Sequence, residues 1–131
     1  MDLPKTSPAA ILTQQNKELL VTEIKLPKHL ETGQVLVELF YSGICGSQIG
    51  EISGVKGPDK WLPHLLGHEG VGRVLALGGG VTTVKPGDKI VAHWRPSVGI
   101  DAKPPKYYLN KTVINAGKVT TFNKFAVISE N

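Results

Sequence analysis

The residues best suited to chemistry are the only cysteine of the chain, Cys45, and the sequence Gly-His-Glu at residues 67–69. A thiolate and an imidazole form a ligand pair that favours zinc. Two such ligands do not close a zinc site, and no other residue supplies a convincing third. His64 is left out of the predicted site, because Pro63 and Gly67 disfavour a helix that would place it beside His68.

Each of these residues also has a plainer interpretation. A free cysteine is often a small buried hydrophobic residue, and a single histidine is more often an ordinary core or surface residue than a ligand. The glycines around Cys45 favour the ligand interpretation, because they place it just past the end of a predicted strand. The glycine run at 78–80 is not followed by a helix, so it is a turn and not a dinucleotide-binding loop. Ser47 lacks the Gly-x-Ser-x-Gly elbow of serine hydrolases.

The composition indicates one globular domain of 131 residues, with 40% hydrophobic and 20% charged residues. The net charge of +4 comes from scattered lysines and not from a basic face with aromatic partners, so we expect no nucleic-acid binding. A single cysteine excludes an internal disulfide and is compatible with a reducing compartment. The sequence shows no signal peptide and no membrane-spanning run, which predicts a cytoplasmic protein without membrane contact.

The elements that must position Cys45 and His68 are expected to be short strands, because nine prolines and fifteen glycines divide the chain into short segments. Apolar runs predict strands at residues 18–26, 34–41, 70–77, 89–93 and 119–128. A short helix is expected to begin with Ser47 as its N-cap and to reach about Ile52. Residues 95–111 are expected to form an irregular loop. The sequence therefore predicts a mostly β, barrel-like domain.

Four blocks of sequence together resemble the zinc-dependent alcohol dehydrogenases of the medium-chain dehydrogenase/reductase superfamily. They are GICGS at residues 43–47, LPHLLGHEGVG at 62–72, GGGV at 78–81 and KPGDKIV at 85–91. The resemblance covers only the N-terminal catalytic domain of that family, which implies a GroES-like, partly open β-barrel with short helices over residues 1–131. The Rossmann domain that holds NAD or NADP in the family has no counterpart here, and the end at Asn131, directly after a predicted strand, resembles a cut.

The resemblance implies a role for several residues. Cys45 and His68 match the first two ligands of a catalytic zinc, and Glu69 matches the acidic neighbour that can enter the zinc shell. Ser47 matches the hydroxyl that contacts the substrate oxygen and begins a proton relay, and Trp94 falls where the family lines its substrate pocket. The implied function is the interconversion of a small-molecule alcohol and aldehyde by hydride transfer with NAD or NADP. The isolated chain is not expected to turn over.

The chain departs from the family at positions that bear on zinc. Gln48 stands where an aspartate usually orients the ligand histidine; its amide can still accept from an imidazole N–H but contributes less to ligand basicity. Gly50 stands where some members carry a relay histidine. The third catalytic ligand has no match in this chain. Between Val98 and Lys111 the four cysteines of a structural zinc are missing, so no structural zinc is expected.

Two other functions remain open. A stand-alone GroES-like β-barrel could act as a non-catalytic binding or assembly module, with exposed strand edges that support a homo-oligomer. A zinc-free reductase of the same superfamily, such as quinone reductase, is disfavoured, because those enzymes lack the cysteine and the Gly-His-Glu ligand residues that this chain has.

Overall fold

Over residues 3–131, which are those the structure describes, a computed structural model shows nine β-strands and one short α-helix. The strands are β1 (Thr6–Leu12), β2 (Leu20–Lys25), β3 (Gln34–Ser42), β4 (His64–Leu65), β5 (Glu69–Leu77), β6 (Lys89–His93), β7 (Tyr107–Leu109), β8 (Thr112–Ile114) and β9 (Phe125–Ser129). The helix α1 (Gly46–Ser53) lies between β3 and β4. Among residues 3–131, no helix is long and apolar enough to cross a membrane.

The strands form two antiparallel sheets that curve into a nearly closed barrel. One sheet has the order β4-β1-β2-β7-β8, and the other has the order β6-β5-β3-β9. The two sheets meet along β1 and the segment before β9, where Ala10 N–H donates to the Phe122 carbonyl at 2.8 Å and Lys124 N–H donates to the Pro8 carbonyl at 3.0 Å. This architecture confirms the predicted mostly β, GroES-like barrel.

Strand β3 is central to the core because its first residues are buried on both faces. Leu36 packs into a cluster with residues of β1, β2, β7 and β8, whereas Val35 and Val37 pack into a second cluster on the other face of the sheet. The alternation follows from the two-residue period of a strand. Towards its end β3 becomes exposed, with Tyr41 77% accessible, so the strand leaves the core shortly before Cys45.

The predicted strands agree with the structure except near the chain's end. Residues 119–124 do not join the last strand, which begins only at Phe125. Side-chain hydrogen bonds hold this segment as a loop: the Thr120 hydroxyl donates to Asn123 Oδ1 at 3.1 Å, and the Asn123 amide donates to the Phe125 carbonyl at 2.8 Å. The local polar side chains therefore compete with the sheet for the backbone.

The predicted irregular loop at 95–111 was wrong in its last part, because β7 lies there and pairs with β8 as a hairpin. Asn110 takes the positive φ of +55° that the tight turn requires. Asparagine tolerates this conformation better than most residues. The prolines before the hairpin obscured a short strand whose first residue, Tyr107, is fully buried.

Near the end of the chain, Glu130 ties two loops to β9. Its carboxylate accepts from the backbone N–H groups of Ile100, Thr82 and Thr83 and from the Thr83 hydroxyl, at 2.7 to 2.9 Å. These donors, the Ile100 N–H first among them, lower the pKa of Glu130 from its ordinary 4.5 to about 2. The ionised carboxylate is the form that they stabilise.

Candidate functional site

Cys45 lies at the start of α1 and is itself the N-cap, so the expectation that Ser47 would cap this helix was wrong. Its backbone is extended, and its Sγ accepts a hydrogen bond from the Ser47 N–H at 3.5 Å. Gln48, in the first turn, accepts from the Cys45 N–H through Oε1 at 3.0 Å, which completes a capping box. The thiol is therefore half-buried and fixed against the first turn of the helix.

His68 is joined to this helix start by the same glutamine. Gln48 is almost fully buried, and its Nε2 lies 2.8 Å from His68 Nδ1. Because Oε1 is occupied by the Cys45 N–H, the amide nitrogen faces the imidazole and donates to Nδ1. The expectation that the amide would accept from the imidazole was therefore wrong. In a neutral His68 the proton then sits on Nε2.

The loop before β5 that carries His68 depends on Gly67. Its φ is +93°, and a Cβ there would lie 2.2 Å from the Thr121 hydroxyl oxygen and 3.0 Å from the Thr121 backbone nitrogen. The Thr121 and Phe122 N–H groups both donate to the Leu66 carbonyl at 3.2 Å. Only glycine combines this backbone angle with so close an approach, so it sets where His68 stands.

Glu69 is exposed and lies over the strand end that leads to Cys45. Its carboxyl group packs against Gly43, where an added Cβ would come within 2.7 Å of it, and its carbonyl accepts from the Gly43 N–H at 2.9 Å. Ser47 is half-buried in the first turn of α1. The structure thus places four of the five predicted site residues, all except Trp94, on three adjoining segments: the start of α1, the loop at His68 and the start of β5.

Trp94 lies just after β6, whose His93 pairs with Glu69 across the sheet. Its side chain is 64% exposed and lines a cleft of about 340 Å³ together with residues of β6, the loop that follows it and the last residues of the chain. Cys45, Ser47 and His68 do not line this cleft. Within the described residues, the structure does not join Trp94 to the zinc-ligand residues in one pocket.

The ligand atoms of Cys45, His68 and Glu69 do not converge. In the described part of the chain, the one group of three or more potential ligands within 4.8 Å of one another is Glu51, Asp59 and His64. His64 is the histidine that was left out of the predicted site. Nothing in the sequence pattern points to this group, because its three members come from a helix, a loop and a strand.

Cys45 and His68 nonetheless fit a zinc ion by donor type. A thiol and an imidazole are present, and the imidazole Nδ1 is held by a hydrogen bond, as is usual for a metal-bound histidine whose other nitrogen faces the ion. The fit is incomplete in two respects. Glu69 does not join the pair as a third ligand within 4.8 Å. The orientation of Gln48 also favours a proton on His68 Nε2, the nitrogen that a metal would need.

Comparison with known proteins assigns the family. The pattern described as the alcohol dehydrogenase GroES-like domain matches residues 31–130. The chain therefore belongs to the alcohol dehydrogenase GroES-like domain family, and it corresponds to the N-terminal domain portion of the zinc alcohol dehydrogenases.

Two curated relatives are equally similar to this chain. An alcohol dehydrogenase class-3 of Cereibacter sphaeroides and an S-(hydroxymethyl)glutathione dehydrogenase of Paracoccus denitrificans are each 40% identical over 90 residues. The match spans 67% of this chain but only 23% of each relative. The chain therefore corresponds to about a quarter of the length of proteins that it resembles.

Solved structures agree on the fold. An alcohol dehydrogenase from Thermotoga maritima is 33% identical with a TM-score of 0.54, over 64% of this chain and 24% of that one. A thermostable alcohol dehydrogenase from Pyrobaculum aerophilum is 20% identical with a TM-score of 0.66, over 95% of this chain and 39% of that one. The second likeness is one of fold alone. A further structure of the Pyrobaculum protein is described as cobalt and zinc bound.

Proposed function

We propose that this chain is the substrate-side portion of a zinc-dependent alcohol dehydrogenase-like oxidoreductase that interconverts an alcohol and an aldehyde with NAD or NADP. The observation that carries the proposal is the match of residues 31–130 to this family, within which Gln48 brings the thiol-bearing start of α1 next to His68.

In this proposal Cys45 and His68 hold a zinc ion that, when bound, acts as a Lewis acid toward the alcohol oxygen. Ser47, in the first turn of α1 beside Cys45, takes up the hydroxyl proton of the alcohol and passes it on towards solvent. Glu69, exposed at the start of β5, supports ligand exchange from its position against Gly43. Trp94 provides an apolar wall beyond β6.

We expect turnover to require more than this chain. The match covers less than a quarter of each of the two relatives, and the described residues include no third ligand near Cys45 and His68. A Rossmann domain for NAD or NADP and the missing ligand are expected in the rest of a longer parent protein. The isolated chain should accordingly bind zinc weakly at Cys45 and His68 and show no alcohol oxidation.

The test is metal binding by the isolated chain, read through the thiolate. Co²⁺ bound by a thiolate gives an intense ultraviolet charge-transfer band, and Cys45→Ser should abolish it. His68→Asn should weaken Co²⁺ binding as measured by the same band, whereas His29→Asn, which removes an exposed histidine in the loop between β2 and β3, should leave it unchanged. A wild-type chain without the band, or a His68→Asn variant that matches His29→Asn, would contradict the assignment of these two ligands.

A further inference from the structure

Glu51, Asp59 and His64 form a cluster of ligand atoms apart from Cys45 and His68. Glu51 lies on α1, Asp59 in the loop that follows it, and His64 begins β4. Their nearest ligand atoms all lie within 4.8 Å of one another. Glu51 lies six positions after Cys45, which is about 9 Å along the helix axis.

The loop places Asp59 with little freedom. Gln15, from the turn between β1 and β2, donates to the carbonyls of Glu51 and Gly57 at 3.0 Å and accepts from the Asp59 N–H at 3.1 Å. Asp59 Oδ1 accepts from the Trp61 N–H at 2.7 Å. These contacts aim the other carboxylate oxygen, Oδ2, at His64 Nδ1, which lies 3.0 Å away. The Asp59 and His64 side chains are only 8% and 18% exposed.

The charges in this cluster are poorly balanced. Two carboxylates lie within 4.8 Å of each other, and among the described residues neither forms an ion pair with a lysine or arginine. Lys60, which follows Asp59 in the sequence, places its Nζ 5.5 Å from the centre of the Trp61 ring and not against a carboxylate of the cluster. A cation bound between the two carboxylates would supply the partner that no lysine or arginine of the described residues supplies.

We propose that Glu51, Asp59 and His64 bind a divalent transition-metal ion, with water in its remaining positions. The donor set contains one imidazole and two carboxylates, which suits zinc and similar ions better than magnesium. Two ligands about 2.0 to 2.1 Å from a common tetrahedral zinc lie about 3.3 to 3.4 Å apart, so the 3.0 Å hydrogen bond between Asp59 Oδ2 and His64 Nδ1 needs to open only slightly to admit the ion. The bound ion fixes α1 to β4 and so steadies the helix that begins at Cys45.

The experiment measures Zn²⁺ binding in a Cys45→Ser background, in which the thiolate is absent and the two sites are separated. Competition with a chromophoric chelator should detect one Zn²⁺ per chain. Glu51→Gln should weaken this binding at least about tenfold, the lower limit of what the loss of an outer hydrogen-bond partner of a metal ligand costs. Glu18→Gln, which removes an exposed carboxylate elsewhere, should leave it unchanged.

Glu51→Gln is the informative variant because its side chain makes no hydrogen bond or ion pair among the described residues, so the fold should not depend on it. The melting temperature gives a second readout. Zn²⁺ should raise the Tm of the Cys45→Ser chain and of its Glu18→Gln variant. The rise should be much smaller for its Glu51→Gln variant. The proposal is overturned if the Cys45→Ser chain binds no Zn²⁺, or if its Glu51→Gln and Glu18→Gln variants bind Zn²⁺ with equal affinity. The contact between Asp59 and His64 is then only a hydrogen bond.

Discussion

Replacing Gln48 by glutamate should strengthen zinc binding at Cys45 and His68. Glutamate has the same shape as glutamine but two acceptor oxygens in place of one acceptor and one donor. One oxygen can keep the hydrogen bond from the Cys45 N–H, now 3.0 Å long, and the other can accept from His68 Nδ1, now 2.8 Å from the amide nitrogen. His68 then carries its proton on Nδ1, and the lone pair of Nε2 becomes available to a metal.

The expected gain in zinc affinity follows from the hydrogen bond that Gln48 must lose before His68 can bind a metal. To free Nε2, the amide must turn over or lose its bond to His68, which costs one hydrogen bond, about 0.5–1.5 kcal/mol. A carboxylate partner also makes the imidazole a stronger ligand, and such partners change metal affinity by about 10- to 100-fold. We therefore expect Gln48→Glu to bind zinc about 10- to 100-fold more tightly, equivalent to about 1.4–2.8 kcal/mol.

Two measurements check this prediction. In a Glu51→Gln background, which removes the proposed second site, zinc affinity by chelator competition should rise for Gln48→Glu and stay unchanged for Gln14→Glu, a control with the same charge change in an exposed loop. Nitrogen-15 NMR of the metal-free chains should show the His68 proton on Nε2 in the wild type and on Nδ1 in Gln48→Glu. If the wild-type imidazole already carries its proton on Nδ1, or if Gln48→Glu binds zinc no more tightly, the reasoning from the amide orientation is wrong.

Three further predictions concern stability. Tyr107→Phe leaves the buried Val127 N–H, which donates to the Tyr107 hydroxyl at 2.8 Å, without its acceptor, so urea unfolding should show a loss of about 1–3 kcal/mol; an unchanged midpoint would contradict this. Glu130, whose pKa the Ile100 N–H and its neighbours lower to about 2, stabilises the fold above pH 4.5, and this contribution is lost as the pH falls from 4.5 towards 2. Glu130→Gln should therefore flatten the decline of Tm over that pH range, and an equally steep decline would refute the linkage. Gly67→Ala should cost at least about 1–3 kcal/mol through its positive φ and should shift the His68 NMR signals, whereas a fully stable variant would show that the loop can relax.

The fold was largely predictable because its strands have strong local patterns. The runs that form β3 and β6 are apolar, end at glycine or proline turns and appear in the structure within a residue of their predicted bounds. The β7–β8 hairpin was missed because Tyr107 is buried through tertiary contacts that no short window contains. The last strand was predicted too long because Asn123 and its neighbours bond to the backbone locally.

The site was only partly predictable for a related reason. Cys45 and His68 could be selected by residue type, but thiols are not among the usual N-capping groups, so the cap at Cys45 was not foreseen. The cluster at Glu51 depends on Gln15, which lies 36 residues from Glu51 and 44 from Asp59. A contact between residues so far apart in sequence forms only in the folded barrel. The spacing of Glu51, Asp59 and His64 along the chain therefore does not predict that they meet.

The double role of Cys45 makes it a reporter of the helix start. Its sulfur accepts from the Ser47 N–H while its own N–H is held by Gln48, and it is the only cysteine in the chain. A thiol reagent or a fluorescent maleimide would therefore attach at one place only and remove the cap of α1 in the same step. The labelling rate of this half-buried thiol thus reports the state of the helix start, and protection by zinc would follow the occupancy of the thiol.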